Sequence, residues 1–369
     1  MRETYIKLKH KIEAYHKKKP RIDFLNTKPK LFAWHINEWK RDYMVKIFPE
    51  KQIIFFPFKL TEKHFYAYWK KHILNDQKNK LLVWGMNSPR FLQEFATKHN
   101  IALEFVEDGF IRSVGLGSNH SLPLSLNFDK KTLYFDATKE SELEYLLQNY
   151  DFKKDSTLIK RAIDLKKRIL ILGISKYNHA KRINLHKLYG KKIKKRVLVI
   201  GQVEDDASIR FGCNQPFTNN DLVRLAYKEN KDAQIIYKPH PDVLFKKRKE
   251  LSNPEEIKHL AQVITESIPI SQSLETIDHV YTITSQVGFE ALLRDIKVTT
   301  IGSPFYAHWG VTDDRQENKR RTRKLTVIEI LSAAYILYPK YYHPNTGSEI
   351  TVEEVIDILN LEKKERDIL

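Results

Sequence analysis

Short apolar runs alternate along the chain with amphipathic stretches, a rhythm that predicts an α/β protein with mainly parallel sheets. In the first half, Leu31–Ile36, Gln52–Phe56, Leu81–Trp84, Ala102–Val106 and Thr132–Phe135 predict strands. Apolar residues at helical spacing predict helices over Thr61–Ile73, Pro89–His99, Glu140–Tyr150 and Ser156–Leu172. The stretch Ser175–Lys195 is basic and poorly periodic, which puts a domain junction there. A second series starts at Arg196, with strands Val197–Ile200, Gln234–Tyr237, Val280–Thr284 and Val298–Ile301. Helices Asn220–Glu229, Ile257–Ile264 and Gly288–Arg294 fall between them, and helices Leu325–Leu337 and Val352–Leu361 close the chain. The economical architecture is two Rossmann-like domains, 1–190 and 191–369, facing a central cleft, with the C-terminal helices packing back on the first. Open α/β sheets bind ligands beyond the carboxyl ends of their strands.

Charge narrows the partners. The 369 residues hold 64 Lys and Arg against 46 Asp and Glu, a net +18. That excess favours polyanions: nucleic acid, an anionic bilayer, or acidic and phosphorylated substrates. One cysteine, Cys213, excludes an internal disulfide framework and any cysteine-rich zinc module. No apolar run reaches the roughly 18 residues of a membrane span. The basic N-terminal stretch lacks the apolar core and cleavage site of a secretory signal, so a cytoplasmic protein is expected.

Four polar clusters sit just past predicted strands. Glu107-Asp108-Gly109 leads to Arg112 and Ser113 after the fourth strand, and reads either as a site or as a solvated loop. Gly201-Gln202-Val203-Glu204-Asp205-Asp206 puts three acids together in a basic protein. Acid/base chemistry, metal ligation and an ordinary helix N-terminal turn all fit that run. Lys238-Pro239-His240-Pro241 ends a strand with two cations and two rigid prolines, suited to a phosphate or to a plain turn. Thr284-Ser285-Gln286-Val287-Gly288-Phe289-Glu290 ends another with two hydroxyls and a glycine opening a helix. Hydroxyls and free N–H groups there suit phosphate, Glu290 suits a ribose diol, and Ser285 equally suits a simple cap. Together the clusters place acids on both walls of the cleft and phosphate ligands on one, the arrangement of a nucleotide-sugar transferase.

Several long segments then become recognisable. The stretch Trp84–Leu147, with VLVIGQVEDDASI, IIYKPHPDVL, TITSQVGFEALLRDIKVTTIGSPFYAHWG and RRTRKLTVIEILSAAYILYPKYYHP, resembles the capsular polysaccharide β-Kdo transferase family of the KpsC type, in collinear order from Leu81 to Pro344. The resemblance implies a GT-B fold and a retaining transfer of Kdo, an eight-carbon acidic sugar, from CMP-Kdo. In that family the product is typically a short Kdo linker on a phosphatidylglycerol lipid that anchors capsule. Such proteins commonly hold two transferase modules; this chain has the length of one, so one linkage type is expected. Retention suggests a double displacement through a sugar–carboxylate intermediate. The group's Gln-x-x-x-Asp pattern maps onto Gln202 and Asp206, making Asp206 the first candidate nucleophile and Asp205 the second. Glu107 is then the base for the acceptor hydroxyl, and Arg112 the fork for the Kdo carboxylate. Lys238, His240, Ser285 and Gly288 would hold the CMP phosphate, Glu290 the ribose, and Pro304-Phe305 would lie against cytosine. No metal or other cofactor is expected.

Expected partners are CMP-Kdo, a Kdo-containing oligosaccharide or glycolipid acceptor, other capsule-synthesis enzymes and no nucleic acid. Arg315, Lys319, Arg320, Arg321, Arg323 and Lys324, with Lys17–Lys19 and Lys191–Arg196, suggest electrostatic attachment to the inner face of the cytoplasmic membrane. Two alternatives compete: a transferase for another CMP-activated acidic sugar such as sialic acid, and a non-catalytic polyanion-binding protein.

Overall fold

The computed structural model of the chain describes residues 19–368 except 24, 116, 179 and 250, so Lys17 and Lys18 lie outside it. Its strands are β1 (Lys30–Trp34), β2 (Gln52–Phe55), β3 (Lys80–Trp84), β4 (Leu103–Asp108) and β5 (Ser125–Asp129), then β6 (Arg196–Ile200), β7 (Gln234–Lys238) and β8 (Gln262–Val263). After these come β9 (His279–Thr282), β10 (Lys297–Thr300), β11 (Asp313–Asp314), β12 (Pro339–Tyr342) and β13 (Glu349–Ile350). One sheet has the order β13-β12-β5-β4-β3-β1-β2 and the other β11-β10-β9-β6-β7-β8. Every ladder of the second sheet is parallel, as are β1–β2, β1–β3 and β3–β4 in the first. Parallel strands are covered on both faces, which is why β6 (RVLVI) is apolar almost throughout and buried at every residue. This is a mixed α/β fold of Rossmann-like units.

The chain divides into two compact units, but not at residue 190. The first takes residues up to Glu107, Leu126–Leu133 and Tyr342–Glu349; the second takes Asp108–Ser125, Tyr134–Tyr341 and everything from Ile350. Inside the first, Phe56 packs on Trp69 and Phe65 on Phe95 at ring separations of 4.3 and 5.0 Å. Residues 134–190 belong to the second unit because helix Ser156–Leu172 buries Leu158, Ala162, Leu165 and Ile169 in its core. That helix also pairs Arg161 with Glu353 and Arg168 with Asp357 of the last helix, Val352–Ile368. The last helix therefore packs within the second unit, and the segment that returns to the first is Tyr342–Glu349.

Three predicted elements differ. Thr132–Phe135 is a turn rather than a strand, since Asp129 Oδ1 accepts the N–H groups of Lys131 and Thr132 and bends the chain after β5. Ile257–Ile264 is no helix: a 3₁₀ turn, Pro254–Ile257, leads into the edge strand β8, a choice that so short an apolar run leaves open. Leu325–Leu337 is a short α-helix, Val327–Leu331, opened by a Thr326/Glu329 capping box and continued as a π-helix, Ser332–Leu337.

Candidate active site

Within the second sheet the chain leaves β6 toward β7 on one side and returns at β9 on the other, so the strand order reverses between β6 and β9. Such a switch point opens a crevice at the carboxyl edge. Gly201 follows β6 where a Cβ would come within 2.7 Å of the Tyr237 hydroxyl and 3.0 Å of Pro239 Cα, so only glycine lets the two strand ends run so close. Gln202 is buried and bridges the switch point. Its Oε1 accepts the Thr284 N–H at 2.8 Å and its Nε2 donates to Thr284 Oγ1 at 3.0 Å. Its backbone exchanges two further bonds with the Asn219 side chain. Gln202 thus positions the loop, both ends of its amide being engaged by Thr284.

The three acids after it do not form one cluster. Glu204 accepts the Asn219 N–H and the Ser252 hydroxyl. Asp205 is exposed and paired with Arg248 at 2.6 Å. Asp206 is half-buried and caps helix Ala207–Gly212, its Oδ1 accepting from Ser208 N at 2.8 Å. Among the described residues, no three His, Cys, Asp or Glu side chains group as metal ligands.

Lys238 ends β7 buried, with no hydrogen bond or ion pair on its ammonium among the described residues. Burial pulls it down to about 8, against the weak opposing pull of Glu266 beyond β8. His240 caps Pro241–Leu244 by accepting the Asp242 N–H on Nδ1 at 3.1 Å. Burial holds the imidazole below its ordinary range, so the neutral ring carries its proton on Nε2 as a donor. The charges that bear on it are Asp242, Asp206, Arg248 and Lys176. Asp206, His240 and Lys238 are therefore gathered at the ends of adjacent strands.

Past β9, Ser285 is half-buried and accepts the Val287 N–H, so here it also caps. Gly288 serves packing: a Cβ there would lie 2.1 Å from the Tyr306 hydroxyl. Glu290 is buried; its Oε1 accepts the Lys176 N–H at 3.3 Å, Oε2 has no hydrogen-bond partner among the described residues, and burial raises it to about 7. Phe305 lies in the core against Phe110 and Phe289, at 4.5 and 5.2 Å, and is not available to a base.

Arg112 is buried completely, with Nε on Asp108 at 2.7 Å and Nη1 on Ser113 at 2.8 Å. A carboxylate fork needs an open edge, so the guanidinium here organises its own loop. Glu107 lies near the end of β4 in the first unit, half-buried, beside Gly85, whose φ is +64°. The arginines of the basic block are paired within the second unit. Arg320 and Arg321 both bind the buried Glu144, Arg323 donates to the Tyr150 carbonyl, and Arg315 pairs with Glu229 and Asp313. Of the block's six cations, only Arg321 is buried, while Arg315, Lys319, Arg320 and Lys324 stay exposed. Sequence reasoning missed Lys176, Asn219 and Arg248; of these, only Lys176 had a visible signal, a polar Ser-Lys-Tyr-Asn after an apolar helix.

The fold and site define a Rossmann-like protein whose second sheet ends in cations, hydroxyls and a half-buried carboxylate. The sequence pattern of the capsule polysaccharide biosynthesis proteins matches residues 79–341, and the chain belongs to that family. It is 43% identical over 339 residues to lipopolysaccharide-processing protein LpsZ of Rhizobium meliloti, covering 91% of this chain and 75% of that protein. It is 43% identical over 284 residues to capsule polysaccharide modification protein LipA of Neisseria meningitidis serogroup B, covering 77% of this chain but only 40% of LipA. Among solved structures it is similar to the KpsC β-Kdo 2,4 transferase of Thermosulfurimonas dismutans, with a TM-score of 0.75 and 32% identity over 91% of this chain and 98% of that one. The KpsC β-Kdo 2,7 transferase of the same organism follows at 0.69 and 30%, over 90% and 99%. No helix among the described residues is long and apolar enough to cross a membrane.

Proposed function

We propose that the chain is a glycosyltransferase of capsule polysaccharide synthesis that moves Kdo from CMP-Kdo to a saccharide or glycolipid acceptor with retention. The observation that carries this reading is the likeness to the KpsC 2,4 transferase, 32% identical over 91% of the chain at a TM-score of 0.75. In this scheme an Asp206 oxygen attacks the anomeric carbon as its bond to phosphate breaks and CMP leaves with the electron pair. The acceptor hydroxyl, losing its proton to a base, then attacks the same carbon and frees the Asp206 carboxylate, so two inversions give retention. Asp206 is preferred to Asp205 because it is half-buried beside His240, whereas Asp205 is exposed and paired with Arg248. Lys238, the Nε2–H of His240 and the Ser285 hydroxyl hold the leaving phosphate; they supply positive charge and donors without calling on a metal.

Incubation with CMP-Kdo generated in situ and Kdo-bearing acceptors, followed by mass spectrometry and NMR of the product, tests the reading. A β-linked Kdo adduct is expected. An α-linked product would remove the double displacement, and no transfer to any acceptor would remove the transferase.

A further inference from the structure

The transferase reading, on which this argument rests, gives the donor's phosphate its partners but leaves the cytosine without a seat, because Phe305 is packed against Phe110 and Phe289 in the core. At the carboxyl edge of the second sheet lies a cavity of about 270 Å³, open to solvent, with His240 on its wall. A nucleoside whose phosphate is held at His240 has this cavity within reach.

The chemistry of the cavity suits a pyrimidine. Pro239, Val243 and Leu251 give it apolar surface, while Glu204 supplies an acceptor and Lys249 a donor. Glu204 is half-buried and held in place by two separate segments. Its Oε1 accepts both the N–H of Asn219, which opens helix Asn219–Glu229, and the hydroxyl of Ser252, which precedes the turn Pro254–Ile257. Its Oε2 takes no hydrogen bond from a described residue, so one fixed acceptor remains on the cavity. Cytosine offers an exocyclic amine beside two acceptors, and a carboxylate reads that amine. Uracil puts a carbonyl where the amine stands, and a carboxylate repels it. We propose that Glu204 reads the base of the donor nucleotide, selecting cytosine over uracil by accepting its amine on Oε2. The three consecutive acids then divide their work: Glu204 lines the cavity, Asp205 pairs with Arg248, and Asp206 caps its helix.

Glu204→Gln keeps Oε1 as an acceptor for Asn219 and Ser252 but replaces the second oxygen with an amide that can donate to the uracil carbonyl. Calorimetry with CMP, UMP and ribose 5-phosphate, which has no base, isolates the contact. Wild type is expected to bind CMP about tenfold or more tighter than UMP, and Glu204→Gln should narrow that ratio to about threefold or less. Ribose 5-phosphate should bind both proteins equally. Leu251→Trp, which fills the cavity from an exposed position, should weaken CMP and UMP alike and spare ribose 5-phosphate. Melting temperatures confirm that all three proteins fold. A wild type that binds CMP and UMP equally, a ratio unmoved by Glu204→Gln, or an equal loss for ribose 5-phosphate would overturn the assignment. Kdo transfer combined with an unmoved ratio would remove this seat and leave the transferase. Selective CMP binding that Glu204→Gln abolishes, without Kdo transfer to any acceptor, would remove the transferase and leave the seat.

Discussion

The side-chain amide of Gln202 is bonded at both ends to Thr284, N–H to Oε1 at 2.8 Å and Nε2 to Oγ1 at 3.0 Å, across the point where the strand order of the second sheet reverses. Gln202→Leu leaves the buried Thr284 N–H without a partner and takes one of two bonds from the Thr284 hydroxyl, which also reaches Ser208, at a cost of about 1–3 kcal/mol. Gln202→Glu keeps the acceptor and lets the Thr284 hydroxyl turn to donate, so it should cost less. Urea unfolding is expected to show a lower midpoint at unchanged slope for Gln202→Leu. Equal midpoints for wild type and both variants would show that the clamp is not stabilising.

Asp206 combines a cap with the proposed nucleophile, and the two tasks are separable. Asp206→Asn keeps a good N-cap for Ser208 and loses the carboxylate, whereas Asp206→Ala loses both, at about 1 kcal/mol for the cap. Both should abolish transfer by several orders of magnitude with CMP affinity nearly unchanged. Asp205→Ala, which removes only an exposed pair with Arg248, should keep most activity. Retained activity in Asp206→Asn would pass the role to Asp205.

Lys238 makes a pH prediction with a definite sign. Burial lowers it to about 8 in the fold, and in the unfolded chain it titrates near 10.4. Between those values the unfolded chain binds more protons, so this group's cost to stability is fully present below pH 8 and relieved as pH rises toward 10.4. Lys238→Met should therefore stabilise the ligand-free protein at pH 7. It should also weaken CMP binding, because a phosphate needs the ammonium form. Calorimetry above pH 8 should further detect proton uptake when wild type binds CMP, and no uptake would detach Lys238 from the phosphate.

Glu144 is buried between Arg320 and Arg321, at 2.6 and 3.0 Å. Removing its charge strands two guanidinium groups, one of them fully enclosed, and breaking such a buried pair costs about 3–5 kcal/mol. Glu144→Gln is expected to lower the denaturation midpoint sharply, while Lys319→Ala and Lys324→Ala, both at exposed positions, should leave it in place. A Glu144→Gln protein as stable as wild type would return the arginines to the surface role that their density in the sequence suggests.

Much of this was legible without coordinates. Parallel strands must be apolar through their length, so β1, β3, β6 and β7 declared themselves as short buried runs, and the polar residues just past them marked the carboxyl edge where α/β sites lie. Asp206 and His240 were chosen as candidates that way. Tertiary structure alone decided which charged residues face solvent and which are enclosed. Arg112 and Arg321 are identical as letters to any exposed arginine; Asp108 lies four residues from the first and Glu144 lies 177 residues from the second, and those partners bury both side chains. The domain division followed the same rule: helix Ser156–Leu172 joined the second unit because its apolar stripe found that core, a choice that periodicity cannot express. A sequence pattern records what a residue can do locally, and long-range burial decides which of those capacities is used.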